Sequence, residues 1–262
     1  MNRSEMPGRL TDKSEIRRRL NTDRTWSLYA LADLDDAMFP HCDWWAEGDG
    51  SIALVFRALD IRPIFILGDA GSTRNLLAAL PERCGYLNLK PHQLAAADGI
   101  YRFRERHEMR RMFLDVPQLR AGTTEPLTTR NQGEIEALYA CGDGGGIAFA
   151  PFQLESGFFR GIRRSGELVA VAGVHVVSHS EGVAGVGNIF TRPDARGHGL
   201  AQTVASAVVS ALRQAGIHTI GLNVENTNAP AISAYERIGF RTRLTYSEGV
   251  ADRLVSAGPG QV

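Results

Sequence analysis

The sequence predicts an α/β fold of the α+β kind, built on a mixed sheet, with a larger C-terminal domain preceded by a smaller α/β domain. Three observations predict it. The length of 262 residues suits one large or two modest domains. The stretch DVPQLRAGTTEP, with Pro117, Gly122 and Pro126 as breakers, divides the chain into an N-terminal unit at 1–118 and a second at 123–250. In the second unit β-rich runs form a hairpin and a returning strand before alternating with helical patterns, which calls for antiparallel and parallel pairs in one sheet.

In the first half, Thr11–Leu20 and Trp26–Leu34 read as helices. Ile52–Phe56 and Ile64–Leu67 are apolar strands. Ser72–Leu80 reads as a helix with Ser72 near its N-cap and Pro81 beyond it. GYLNL and YRFRERHEMRRMFL supply further strands, and HCDWW reads as a packing element or as aromatic surface lining a pocket. In the second half, Ile135–Tyr139 is helical, CGDGGGIAFAP is a loop, and two strands meet at a Ser165-Gly166 turn. SEGVAGVGNIFT returns as a strand. Leu200, Val204, Val208 and Leu212 stripe a helix from Gly199 to Ala215, with Gly216 as its left-handed cap. HTIGLNV is a strand, Ala229–Ile238 a short helix closed by Gly239, and the SAGPGQV tail is frayed.

The bulk properties exclude several function classes. A formal net charge of +0 gives no broad field for nucleic acid or an anionic membrane. Cys42, Cys84 and Cys141 are scattered and odd in number, which argues against a disulfide framework and for the cytoplasm. The N-terminus is too polar for a signal peptide, and no apolar run approaches the ~20 residues of a membrane helix. No His/Cys/Asp/Glu cluster has metal-ligand spacing, so no metal is expected.

The chemistry lies in NIFTRPDARGHGLAQTV. A strand leaves through Pro193 and enters a helix by way of Arg196, Gly197, His198, Gly199, Leu200 and Ala201. Bare glycine backbone at a helix N-terminus lets N–H groups and the helix dipole converge on a phosphate, with Arg196 and His198 adding charge or donors; the alternative is a glycine-rich connection that holds no ligand. A P-loop is absent, and Gln202 stands where a dinucleotide fingerprint needs its third glycine. The second constellation is LNVENTNAPAISAYERIGF. There Asn228 caps a helix with Pro230 in its first turn, and Tyr235 sits mid-helix. With Ile232 and Ile238, Tyr235 also reads as an ordinary core stripe.

Taken in order, strand, R-x-x-G-x-A, helix, strand, N-x-x-A and Y-x-x-x-G-F resemble the GNAT superfamily of N-acetyltransferases over Thr123–Tyr246. GELVAVAGVHVVS…GNIFTRPDARGHGLA is most similar to the glycine N-acyltransferase-like branch, in which a weakly similar N-terminal domain often precedes the catalytic one; the first half is compatible with such a diverged copy. The resemblance implies an acetyl-CoA site with no metal. Strands Gly185–Thr191 and His218–Glu225 would splay beside a bulge to admit the pantetheine arm. The backbone of Ile189, Phe190 and Thr191 would bond its amides, the Arg196–Ala201 turn would hold the pyrophosphate, and Asn228 would touch the arm. Tyr235 would be the general acid that protonates the departing thiolate.

Many members place a glutamate base on the strand before the phosphate turn; here no carboxylate follows Glu181 on that strand. Asn188 is its polar residue. A hairpin turning near Glu181 would set His175 opposite Asn188, where it serves as base directly or through water, or is simply a sheet-bonded histidine. Glu225 and Glu155 are lesser candidates, and His179 and His218 read as turn and edge residues. The expected activity is transfer of acetyl from acetyl-CoA to a primary amine of a small molecule or peptide. Two alternatives stay open: a longer acyl chain or an amino-acid acceptor, and a coenzyme A-binding regulatory module without turnover.

Overall fold

A computed structural model describes residues 6–48, 50–142 and 148–254. Residues 143–147 of the glycine-rich CGDGGGIAFAP loop and the SAGPGQV tail lie outside the described residues. In chain order the elements are β1 (Gly8–Arg9), α1 (Lys13–Leu20), α2 (Leu28–Ala32), β2 (Cys42–Glu47), β3 (Ser51–Phe56), β4 (Pro63–Leu67), α3 (Ala70–Ala79), β5 (Cys84–Leu89), α4 (Pro91–Ala97), β6 (Tyr101–Phe103) and β7 (His107–Leu114). They continue with β8 (Glu125–Leu127), α5 (Gln132–Tyr139), β9 (Phe159–Arg164), β10 (Glu167–Ser178), β11 (Val183–Thr191), α6 (Leu200–Gln214), β12 (Thr219–Glu225), α7 (Ala229–Arg237) and β13 (Phe240–Arg253). No helix among the described residues is long and apolar enough to cross a membrane.

The chain forms two compact units. The first comprises residues 6–30, 36–109 and 245–254, so the end of β13 belongs to it. Its strands follow the order β1-β2-β3-β4-β5-β13, with β6 on β13. Ile64, Ile66, Leu76, Leu77, Leu87 and Tyr101 fill its core. HCDWW enters β2, where Trp44 is buried and the Arg9 guanidinium lies 4.9 Å from the Trp45 ring centroid. The cap of α3 is Asp69 rather than Ser72: the Asp69 carboxylate accepts the Ser72 N–H at 2.8 Å. Sequence reading did not pick out α4, whose seven residues are too short to show a period.

The second unit, residues 31–35 and 110–244, orders its strands β7-β12-β11-β10-β9-β8. Strands β8 to β11 are antiparallel and β12 joins β11 in parallel. Ser165 and Gly166, at φ 50° and 87°, make the predicted tight turn between β9 and β10. One sheet face packs Ala172, Val174, Ala184 and Val186 on Val204, Val208 and Leu212 of α6. The other packs Phe159, Leu168 and Val171 on Ile135, Leu138 and Tyr139 of α5. Alternation puts Val171 on one face and Ala172 and Val174 on the other, the irregularity between Leu168 and Ala170 sets Leu168 with Val171, and the strand is buried on both sides.

Candidate active site

Parallel pairing between β11 and β12 runs from Val183↔Thr219 to Val186↔Leu222 and stops. Both strands continue, β11 to Thr191 and β12 to Glu225, so their backbones part over the segment that the sequence assigns to the pantetheine arm. A bulge causes the parting. On the β10 side, Val171↔Phe190 is followed by Gly173↔Gly187, leaving Asn188 and Ile189 opposite one residue, Ala172. Asn188 takes φ 54°, a left-handed conformation that asparagine tolerates better than most side chains.

Tertiary hydrogen bonds hold this bulge. The Asn188 side-chain amide donates to Gln153 Oε1 at 2.8 Å and to the Val174 carbonyl at 3.3 Å. The Tyr139 hydroxyl donates to the Asn188 carbonyl at 2.9 Å. Gln153, buried in a short turn of 3-10 helix at Pro151–Ser156, donates to the carbonyls of Ala148 and His175 at 3.3 and 3.4 Å. Gln153 and Tyr139 were missed in the sequence because their partners lie 35 and 49 residues away.

His175 does not stand opposite Asn188. It is the extra residue of a second bulge, between Val174↔Val186 and Val176↔Gly185. Its ring reaches over Gly187, where a Cβ would overlap it, and it hydrogen-bonds the backbone of Ala148. The facing Gly173 is bare for a parallel reason, since a Cβ there would come within 2.5 Å of the Phe159 ring. Burial lowers the His175 pKa to about 4, only partly offset by the Ala148 bond, so the imidazole is neutral at physiological pH.

Beyond β11, the chain makes a 3-10 turn at Pro193–Ala195 and then runs exposed through Arg196, Gly197 and His198. Gly197 and Gly199 take φ 82° and 73°. Gly199 is the N-cap of the 15-residue α6 and brings no capping side chain. The first N–H groups of α6 are thus left for an external acceptor. Arg196 is anchored by its Nε donating to the Thr191 carbonyl at 3.1 Å, with the guanidinium 5.7 Å from the Phe190 ring centroid. Thr191 Oγ1 is buried and has no hydrogen-bond partner among the described residues, an orphan polar atom at the mouth of the splay. Arg120 was also missed: its guanidinium lies against the bare Cα of Gly199 and has no hydrogen bond or ion pair among the described residues. An isolated arginine before a strand carries no sequence signal of such a position.

On the β12 side, Asn228 caps α7, its side chain accepting the Ala231 N–H at 3.1 Å. Tyr235 is buried among Ile232, Ile238 and Phe240, with the Phe240 ring 6.4 Å away. Its hydroxyl has no hydrogen-bond partner among the described residues, and burial lifts its pKa to about 12. Glu155 and Glu225 are exposed.

The comparisons with known proteins agree with this geometry. The pattern of the acetyltransferase (GNAT) family matches residues 126–240. A mycothiol acetyltransferase of Thermomonospora curvata is 29% identical over 248 residues, covering 84% of this chain and 80% of its own. A mycothiol acetyltransferase of Streptomyces bingchenggensis is 32% identical over 175 residues, 57% of this chain and 55% of its own, so the chain spans little more than half of that relative. A tandem GNAT protein from the clavulanic acid biosynthesis pathway shares the fold over 97% of this chain and 99% of its own, at a TM-score of 0.58 and 14% identity. Splayed strands, an uncapped glycine turn and a buried tyrosine all fall inside the matched segment, so residues 126–240 form a GNAT acetyltransferase domain, with acetyl-CoA as its acyl donor.

Proposed function

We propose that the C-terminal unit acetylates a primary amine of a small molecule related in chemistry to mycothiol, with the turn Arg196–Ala201 as its phosphate cradle. The observation that carries this reading is the uncapped, doubly left-handed glycine turn placed directly beyond the β11–β12 splay. The acceptor class rests on the mycothiol acetyltransferases to which the chain is similar.

In this reading the backbone of Ile189, Phe190 and Thr191 bonds the pantetheine amides, and Thr191 Oγ1 gains the partner it lacks. N–H groups from Gly197 to Ala201 meet the pyrophosphate, Arg196 and His198 supply charge and donors, and Asn228 keeps a free amide N–H₂ toward the arm. Backbone N–H groups at the Asn188 bulge polarise the thioester carbonyl. The amine nitrogen bonds to that carbon while the carbon–sulfur bond breaks. Tyr235, protonated at every working pH, donates a hydrogen bond to the departing sulfur. The proton that completes the thiol is balanced by the one the nitrogen loses on becoming an amide. A histidine with a pKa near 4 is a poor proton acceptor, so His175 is a neutral positioning group that shapes the bulge, and deprotonation of the amine falls to water. Asn188 likewise acts through the bulge, its amide being engaged by Gln153 and Val174.

Steady-state thiol release from acetyl-CoA over a panel of small amines, amino sugars bearing a thiol included, tests this. Amine-dependent release with N-acetylated product supports it. Release that no amine stimulates overturns it.

A further inference from the structure

The first unit repeats the elements that form the acetyl-CoA slot of the second. Antiparallel β2, β3 and β4 are followed by α3, then β5 parallel to β4, then α4. In the second unit β9, β10, β11, α6, β12 and α7 follow the same plan. Pairing of β4 with β5 runs from Pro63↔Tyr86 to Phe65↔Asn88 and stops, although β4 continues to Leu67. A splay therefore begins at the corresponding place.

Here the chain fills the splay itself. Fully buried Trp26 donates its indole N–H to the Ile66 carbonyl at 2.7 Å. Gln93, also fully buried, donates to the carbonyls of Ile66 and Gly68 at 3.3 and 3.1 Å and lies 3.1 Å from Thr73 Oγ1. Its Oε1 accepts the Lys90 N–H at 2.8 Å. The Ile66 carbonyl lies near the end of β4, as Ile189–Thr191 lie at the end of β11, and the Gly68 carbonyl follows just beyond the strand. Gln93 is the third residue of α4; the third residue of α7 is Ala231, too short to reach across.

The other two parts of the site are also replaced. The helix after β4 begins at Asp69, whose carboxylate takes the Ser72 N–H and is held below the usual carboxylate range mainly by that bond. An anion of the chain's own thus occupies the helix N-terminus, and a phosphate there would meet like charge. The seventh residue of α7 is Tyr235, whereas that of α4 is Ala97, which has no proton to give.

We infer that the N-terminal unit is a second copy of the acetyl-CoA fold sealed by its own side chains, so that each chain binds a single acetyl-CoA, in its C-terminal half. Trp26, Gln93 and Asp69 supply internally the hydrogen bonds that a pantetheine arm and a phosphate would otherwise make. A side chain already in place loses less entropy than an incoming ligand, which keeps the slot shut.

Calorimetric titration of the full chain with acetyl-CoA tests the inference, using wild type, the double variant R196E/H198E and Gln93→Ala. Arg196 and His198 are exposed, and circular dichroism checks that the double variant keeps the fold although Arg196 loses its bond to the Thr191 carbonyl. The expected results are one equivalent in wild type and no measurable binding in R196E/H198E. Gln93→Ala should melt several degrees lower yet keep one equivalent and a dissociation constant within about twofold. Two equivalents in wild type, binding that survives R196E/H198E, or a tenfold weaker constant in a folded Gln93→Ala protein would each overturn it.

Discussion

The Arg120 guanidinium rests against Gly199: a Cβ on that glycine would come 2.6 Å from Nη1 and 2.7 Å from Cζ. A cation is thereby held at the opening of α6, over a residue with φ 73°. Its backbone is fixed by the Arg120 N–H donating to the buried Ser206 hydroxyl at 2.9 Å.

Arg120→Gln is expected to weaken acetyl-CoA about tenfold, equivalent to about 1.4 kcal/mol. Acetyl-pantetheine, which lacks the pyrophosphate and the 3′-phosphate, should bind both proteins equally, and the difference should shrink as salt is raised. Parallel titrations with both donors and with acetyl-dephospho-coenzyme A check it and separate the two phosphates. An unchanged acetyl-CoA constant removes Arg120 from the site.

Gly199→Glu adds a Cβ at a left-handed position, a clash with Arg120 and a negative charge. Binding of acetyl-CoA should fall by at least ~100-fold, about 2.7 kcal/mol. Calorimetry reads the constant, and circular dichroism confirms the fold. A folded variant with wild-type affinity would move the phosphates elsewhere.

Tyr235→Phe keeps the ring against Phe240 and removes a hydroxyl that has no partner among the described residues. The melting temperature and acetyl-CoA affinity should change little, because no internal hydrogen bond is lost. The rate constant kcat should drop roughly 10²-fold, since the missing interaction belongs to the transition state. Equal kcat values would reduce Tyr235 to a core residue.

At Asn188 two variants separate conformation from hydrogen bonding. Asn188→Gly keeps the left-handed backbone and loses the amide bonds to Gln153 and Val174, at a cost of about 1 kcal/mol. Asn188→Ala adds backbone strain and should cost about 2 kcal/mol. Urea unfolding measures both. Equal losses would show that φ 54° stores no strain.

The His175 pKa of about 4 lies below the ~6.5 of free imidazole, so protonation favours the unfolded chain. Its contribution to stability is complete above about pH 6.5 and is lost as pH falls toward 4, by on the order of 3 kcal/mol. His175→Gln should flatten that part of the stability profile while leaving higher pH unaffected. Identical slopes for both proteins between these pH values would refute the half-buried neutral ring.

The sequence by itself determined those parts of the protein whose causes are local. Glycines at left-handed positions, the apolar stripe of α6, the Asn228 cap and Tyr235 at mid-helix all announce themselves within a few residues. The cap of α3 was misplaced by three residues because Asp69 and Ser72 both suit the role, and only the hydrogen bond distinguishes donor from acceptor. Tertiary structure alone decided the register of β10 and β11, since two bulges moved His175 away from Asn188. A bulge adds one residue to one strand and shifts the pairing beyond it, so counting back from a turn gives the wrong partner. The same holds for the partners Gln153, Tyr139 and Arg120, and for the sealed slot in the first unit. Trp26 and Ile66 stand 40 residues apart, and only folding brings an indole N–H to a strand carbonyl over that separation.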